Sequence, residues 1–413
     1  MSFPFPLPLI LDGATGTNLI AAGMPGGVCV ETWILEHPEV LKGMQQAFID
    51  AGSNAVYAPT FGANREKLKA YGLENRVEEL NLKLVELTRS VAKPAGVLVG
   101  GDVSPAGLMI EPYGDAGFDE LYDIYLEQIS ALKKAGVDFI GLETQMSLAD
   151  MRAGVLAAKA VGLPVFVSLT VEDNGRTIMG TRLLPALITL QAMGADAIGL
   201  NCSTGPEIMK ELLPDVLRHS AVPLIAKPNA GKPDPMNPGK YSLTPELFAQ
   251  KMDELLRLGV QIVGGCCGTT PEHIEKLSAL MKENAYPVHH FEPDHDAAAI
   301  ESEAFFLPDD LVLSEPLECS FDLSDDLIDV EDEEVGGDQV NVAVVRVNTI
   351  EEAKILVENA SMTRLPIDVL TDDKEVLSYT LRAFQGRLLI DSESELCRED
   401  LEAEAKRYGA IVY

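Results

Sequence analysis

Short apolar runs alternate with amphipathic stretches through the first two thirds of the chain. The runs occupy residues 9–12, 55–60, 97–103, 139–143, 165–170, 197–202, 224–228 and 262–266. Between them, segments such as 77–92, 118–135 and 245–258 repeat apolar residues at spacings of three and four, the period of a helix with one buried face. A glycine follows Ala51, Ala135 and Leu258, just ahead of the next apolar run, where a left-handed residue ends a helix cheaply. Eight strand-then-helix units over about 280 residues predict an α/β fold, a (β/α)8 TIM barrel over residues 1–285. A doubly wound sheet is the rival, but it would spread the strand ends along one edge instead of gathering them.

Beyond the barrel the pattern changes. No Lys or Arg occurs between Lys282 and Arg346, and 322–338 is dominated by Asp and Glu, so 286–339 is expected to be an acidic, partly disordered linker. From Asn341 the α/β rhythm resumes. Strands are expected at 341–347, 366–370, 387–391 and 410–413, with helices at 351–360, 374–384 and 398–408, forming a small C-terminal α/β domain over 340–413. The formal charge of −33 argues against a nucleic-acid partner, because phosphate binding needs a basic surface. No apolar run approaches the roughly 20 residues of a membrane span, and six cysteines in 413 residues are too sparse for a disulfide scaffold. With no charged, uninterrupted leader at the start, a cytoplasmic protein with reduced thiols is expected.

Chemistry-bearing residues cluster where the predicted strands end. Asp12-Gly13-Ala14-Thr15-Gly16-Thr17, Thr60 to Asn64, Gly101 to Pro105, Glu143-Thr144, Asn201-Cys202, Pro228 to Gly231 and Cys266-Cys267 each follow a strand. In a barrel all of them converge on the face that carries active sites. Cys266 and Cys267 lie within Gly264-Gly265-Cys266-Cys267-Gly268, where the glycines permit the sharp bend that lets two successive side chains reach one metal. With Cys202, they offer three thiolates to a zinc ion and leave a tetrahedral position open. The alternative is a set of small buried thiols; a vicinal disulfide would be strained. Asp12 and Glu143 suit an amino acid's ammonium, and the backbone N–H groups of the Gly13–Thr17 turn suit its carboxylate, although Asp12 could instead cap the following helix. His273, in the first turn after the cysteine pair, reads as a packing or capping residue. Cys29, Cys319 and Cys397 have no partners in the sequence.

Taken together, Asp12 to Thr17, Thr60 to Asn64, Gly199-Leu200-Asn201-Cys202 and Gly264 to Pro271 resemble the zinc-dependent homocysteine S-methyltransferases, over about residues 8–283. The likeness extends to the homocysteine-binding barrel of cobalamin-dependent methionine synthase. It implies that Cys202, Cys266 and Cys267 ligate zinc, that Asp12, Gly13, Ala14 and Glu143 hold the amino-acid end of homocysteine, and that Asn229 approaches the metal when substrate is absent. It also implies methyl transfer to homocysteine from methylcobalamin on a separate corrinoid module, or else from betaine or S-methylmethionine. The Asp-x-His-x-x-Gly signature of a cobalamin-binding module is missing. Residues 388–392 and 406–410 resemble the middle of a pterin-binding barrel without its opening motif. A competing expectation is a non-catalytic scaffold subunit of a methyltransferase complex.

Overall fold

The computed structural model describes residues 3–111, 114–203, 205–287 and 296–413. Eight parallel strands form the barrel: β1 (Leu9–Ile10), β2 (Ala55–Ala58), β3 (Leu98–Val103), β4 (Phe139–Gln145), β5 (Val165–Leu169), β6 (Ala197–Cys202), β7 (Leu224–Pro228) and β8 (Ile262–Val263). Neighbours follow the chain from β2 to β7, β7 pairs with β8, and β8 pairs with β1. The seam between β1 and β2 is bridged by Asn54, whose backbone N–H donates to Ile10 O at 2.8 Å and whose Oδ1 accepts from Ile10 N at 2.7 Å. The expected glycine stops are present, with φ of +111° at Gly52, +82° at Gly136 and +115° at Gly259.

Inside the barrel, side chains stack in layers because every second residue of a strand faces inward. The lowest layer is apolar, built from Leu9, Phe139, Phe166, Ile225 and Ile262, and Phe3 and Phe5 of the N-terminal segment pack beneath it. Phe139 and Phe166 stack with centroids 4.4 Å apart, and Phe3 stacks on Phe166 at 5.5 Å. This aromatic cluster fills the lower end of the barrel.

The segment 286–339, expected to be an acidic, partly disordered linker, carries strands and a helix among its described residues; 288–295 lie outside them. Ala297–Ile300 and Ala304–Phe306 form a hairpin, Leu317–Glu318 joins a parallel sheet, and Leu323–Asp329 is a helix. Leu323, Leu327 and Val330 recur at helical spacing among the acids and bury in the second core, which composition averaged over the stretch conceals. The C-terminal sheet therefore has five parallel strands, Leu317–Glu318, Ala343–Arg346, Ile367–Leu370, Leu389–Ile390 and Ile411–Val412, and begins before residue 340. Arg152 fastens this unit to the barrel: its fully buried guanidinium donates to Leu381 O at 2.6 Å and Arg382 O at 2.9 Å, the carbonyl end of helix Lys374–Ala383. Among the described residues, no helix is long and apolar enough to cross a membrane.

Candidate metal centre

The strand ends converge as the barrel topology requires. Cys202 ends β6, and Cys266 and Cys267 follow β8; their sulfurs lie within 4.8 Å of one another. Among the described residues, this is the cluster of His, Cys, Asp or Glu side chains able to hold a metal ion. Backbone bonds set the loops: Cys266 N donates to Pro228 O at 2.8 Å, Gly265 N to Asp12 O at 3.0 Å, and Ala230 N to Cys267 O at 3.0 Å. Gly268, at φ +81°, has no room for a side chain because Tyr241 lies against it.

Strain gathers here as well. Among the described residues, three non-glycine residues have positive φ, Thr144 at 59°, Cys202 at 58° and Ser203 at 60°, and all three sit at this mouth. Asn201 holds Thr144 in place from both sides: Oδ1 accepts from Thr144 N at 2.8 Å and Nδ2 donates to Thr144 Oγ1 at 2.9 Å. That clamp fixes the neighbouring Glu143. Cys202, in the left-handed conformation, turns away from the course of its strand.

The donor set fits a divalent cation. Tetrahedral zinc–thiolate bonds of about 2.3 Å place sulfurs about 3.8 Å apart, within the observed cluster. Crowded together and buried, all three thiols are lifted above the usual thiol range. The hydrogen bond shared with Cys266, together with burial, pushes Cys202 up to about 12. Cys266 is lowered by its bond with Cys202, but its bond with Cys267 and its burial outweigh this and also lift it to about 12. A divalent cation reverses that balance by stabilising thiolates. Asn229 is anchored by Nδ2 donating to Ser203 O, while its buried Oδ1 has no hydrogen-bond partner.

Beside the thiols lies a buried carboxylate cluster. Asp12 Oδ2 accepts from Tyr57 N at 2.9 Å, and burial lifts Asp12 to about 6 despite the nearby Lys227. Glu143 pairs with Lys227 at 2.7 Å. Asp102 is pushed well above the usual carboxylate range by burial and then by Glu143, and its Oδ1 has no partner. Gly13 lies against Phe48 and Thr269 too closely for a side chain. The amide of Ala14, expected to face substrate, donates to Thr269 Oγ1 at 3.0 Å, and that hydroxyl donates to Cys266 O at 2.7 Å, tying the turn to the cysteine loop. His273 caps its helix: Nδ1 accepts from Thr270 N at 3.2 Å and Nε2 faces Leu243 O at 3.2 Å, while burial lowers its basicity. Lys227 was not singled out from the sequence, whereas Asp102 and Asn201 were noted there only as strand-end residues, without a role.

Fold and site together define a (β/α)8 barrel with a three-thiol, metal-type centre at its mouth. The chain belongs to the homocysteine S-methyltransferase family, whose model matches residues 9–281, a span that includes all three cysteines, Asp12 and Glu143. It is 33% identical over 294 residues to a methionine synthase of Mycobacterium tuberculosis, covering 66% of this chain and 24% of that protein, and 32% identical to the Mycobacterium leprae methionine synthase with the same coverage. The chain thus spans about a quarter of the length of those relatives. The metallated form of the Escherichia coli homocysteine methyltransferase MmuM superposes with a TM-score of 0.56 at 26% identity, covering 66% of this chain and 95% of that one.

Proposed function

We propose that the chain transfers a methyl group to the thiol of homocysteine, giving methionine, with zinc held by Cys202, Cys266 and Cys267. The observation that carries this reading is the convergence of three cysteine sulfurs within 4.8 Å beside the buried Asp12 and Glu143. Zinc in that set supplies the Lewis acidity that keeps a thiol ionised at neutral pH. Positioning falls to the protein. Asp12 and Glu143 accept the substrate ammonium, the Gly13 and Ala14 turn borders its carboxylate, and Asn229 offers its unpaired Oδ1 at the mouth. The sulfur is thereby aimed outward, where the methyl carbon breaks its bond to the donor as it bonds to sulfur, and the thiol proton passes to solvent. The free cysteines suit a reducing compartment, which supports a cytoplasmic location.

The favoured donor is methylcobalamin on a separate corrinoid module, a reading supported by methionine synthase relatives that extend far beyond the matched barrel. A small free donor, betaine or S-methylmethionine, is favoured instead by the 95% coverage of the Escherichia coli enzyme. Zinc content measured alongside methyl transfer from each of the three donors tests both. Turnover with methylcobalamin alone supports the corrinoid reading, turnover with a free donor replaces it, and a reduced protein without zinc overturns the proposal.

A further inference from the structure

One charged group at the mouth has no part in the reading above. Lys227 faces inward from β7, two residues beyond Ile225 of the apolar layer, and its side chain is 4% exposed. Its Nζ lies 2.7 Å from Glu143 Oε1, 3.8 Å from Asp12 Oδ1 and 4.2 Å from the centroid of the Tyr57 ring. A glycine makes space for its stem: a Cβ at Gly264 would stand 3.0 Å from Lys227 Cγ. The geometry points to Lys227 as the positioning residue that holds Asp12 and Glu143 as a pair matched to a single ammonium, so that the site selects thiols bearing an α-amino group. The inference rests on the homocysteine reading and adds to it the origin of selectivity.

The argument is one of charge balance inside a low-dielectric space. Facing the Lys227 ammonium are Asp12 just past β1, Tyr57 from β2, Asp102 from β3, Glu143 from β4 and Cys266 after β8. Burial alone would depress the lysine, but Glu143 and Asp12 outweigh it and raise its basicity, so it stays charged. Asp102 is buried with an unpartnered oxygen, and burial, then Glu143, push it well above the usual carboxylate range, which disfavours its charged form. Two carboxylates against one ammonium leave one negative charge, which one substrate ammonium neutralises. Without the lysine, Asp12 and Glu143 would face each other across the mouth with nothing between them. Like-charged neighbours in such a space take up a proton, and a protonated carboxyl becomes a donor on one oxygen, with less to offer an ammonium.

Calorimetric titration of the reduced, zinc-loaded chain with L-homocysteine and with 4-mercaptobutanoate, the same thiol acid without the amine, tests this. Wild type should prefer homocysteine by on the order of a hundredfold or more, as expected where buried polar groups lose their partner. Lys227→Met and Lys227→Gln should each weaken homocysteine binding at least about tenfold and change 4-mercaptobutanoate binding less than about threefold, while Lys227→Arg recovers part of the preference. Zinc content should remain that of wild type in all three. A purely structural lysine would lower both affinities together, or lower the zinc content, and either result overturns the inference, as does a wild-type preference retained in the Met and Gln variants. Binding of neither thiol by wild type would sink the homocysteine reading itself, and the inference with it.

Discussion

The two ends of the barrel are built from the same strands and do opposite work. On β4 the inward positions run Phe139, Gly141, Glu143; on β7 they run Ile225, Lys227, then Asn229 just past the strand; from β8 they run Ile262, Gly264, Cys266. Each line passes from a large apolar side chain at the closed end to a polar or sulfur-bearing one at the mouth. Gly141 lies against Tyr57 and Gly264 against Lys227, so the glycines of the middle layer admit the two side chains that separate grease from charge. At the closed end, aromatic packing stabilises the fold. At the mouth, positive-φ residues, an orphaned Asp102 oxygen and crowded thiols oppose it. Stability and chemistry are thus separated by a few residues along each strand.

That separation can be broken from either end. Cys267→Ala should abolish stoichiometric zinc binding and reduce methyl transfer on the order of a thousandfold or more, since losing the metal raises the activation barrier by several kcal/mol. Elemental analysis and a transfer assay read this, and the thermal midpoint should change little from that of metal-free wild type. Phe139→Ala should do the reverse, lowering stability by about 3–5 kcal/mol through a cavity in the closed end while the folded protein still binds zinc, as urea titration and metal analysis would show.

A third variant tests whether buried strain is peculiar to the mouth. Asp368, in the C-terminal sheet, is fully buried, has an unpartnered Oδ1, and is lifted by burial to about 8 although Tyr413 donates to its Oδ2 at 2.8 Å. Because its folded-state value lies above the unfolded one, the folded protein binds the proton more tightly. Stability should therefore fall as pH rises from about 4 to about 8, by at most about 1.4 kcal/mol per pH unit. Asp368→Asn should flatten that slope in denaturation curves taken across the range, with metal binding unchanged. The smallest effect belongs to Thr349→Ala, which removes the N-cap hydroxyl that accepts from Glu352 N at 3.1 Å. It should cost about 1 kcal/mol and alter neither zinc nor thiol binding.

How much of this was legible along the chain follows from how local each signal is. The eight strands announce themselves by apolar runs and glycine stops, and the cysteines by their glycine-flanked doublet, all within a few residues. Lys227 was not legible: Ile-Ala-Lys-Pro reads as an ordinary strand end, and its meaning comes from Asp12 and Glu143, brought beside it only when the barrel closes. The partner of the Ala14 amide was not legible for the same reason, since Thr269, which takes it, lies at the far end of the barrel sequence. The acidic stretch misled in the opposite direction, its average charge hiding the buried spacing of Leu323, Leu327 and Val330.

The most direct test of the central claim is X-ray absorption at the zinc edge on the reduced protein, with and without homocysteine. Three sulfur neighbours, rising to four when homocysteine is added, is the result this account predicts. Nitrogen or oxygen ligation in place of the three sulfurs, or a sulfur count that homocysteine leaves unchanged, would contradict it.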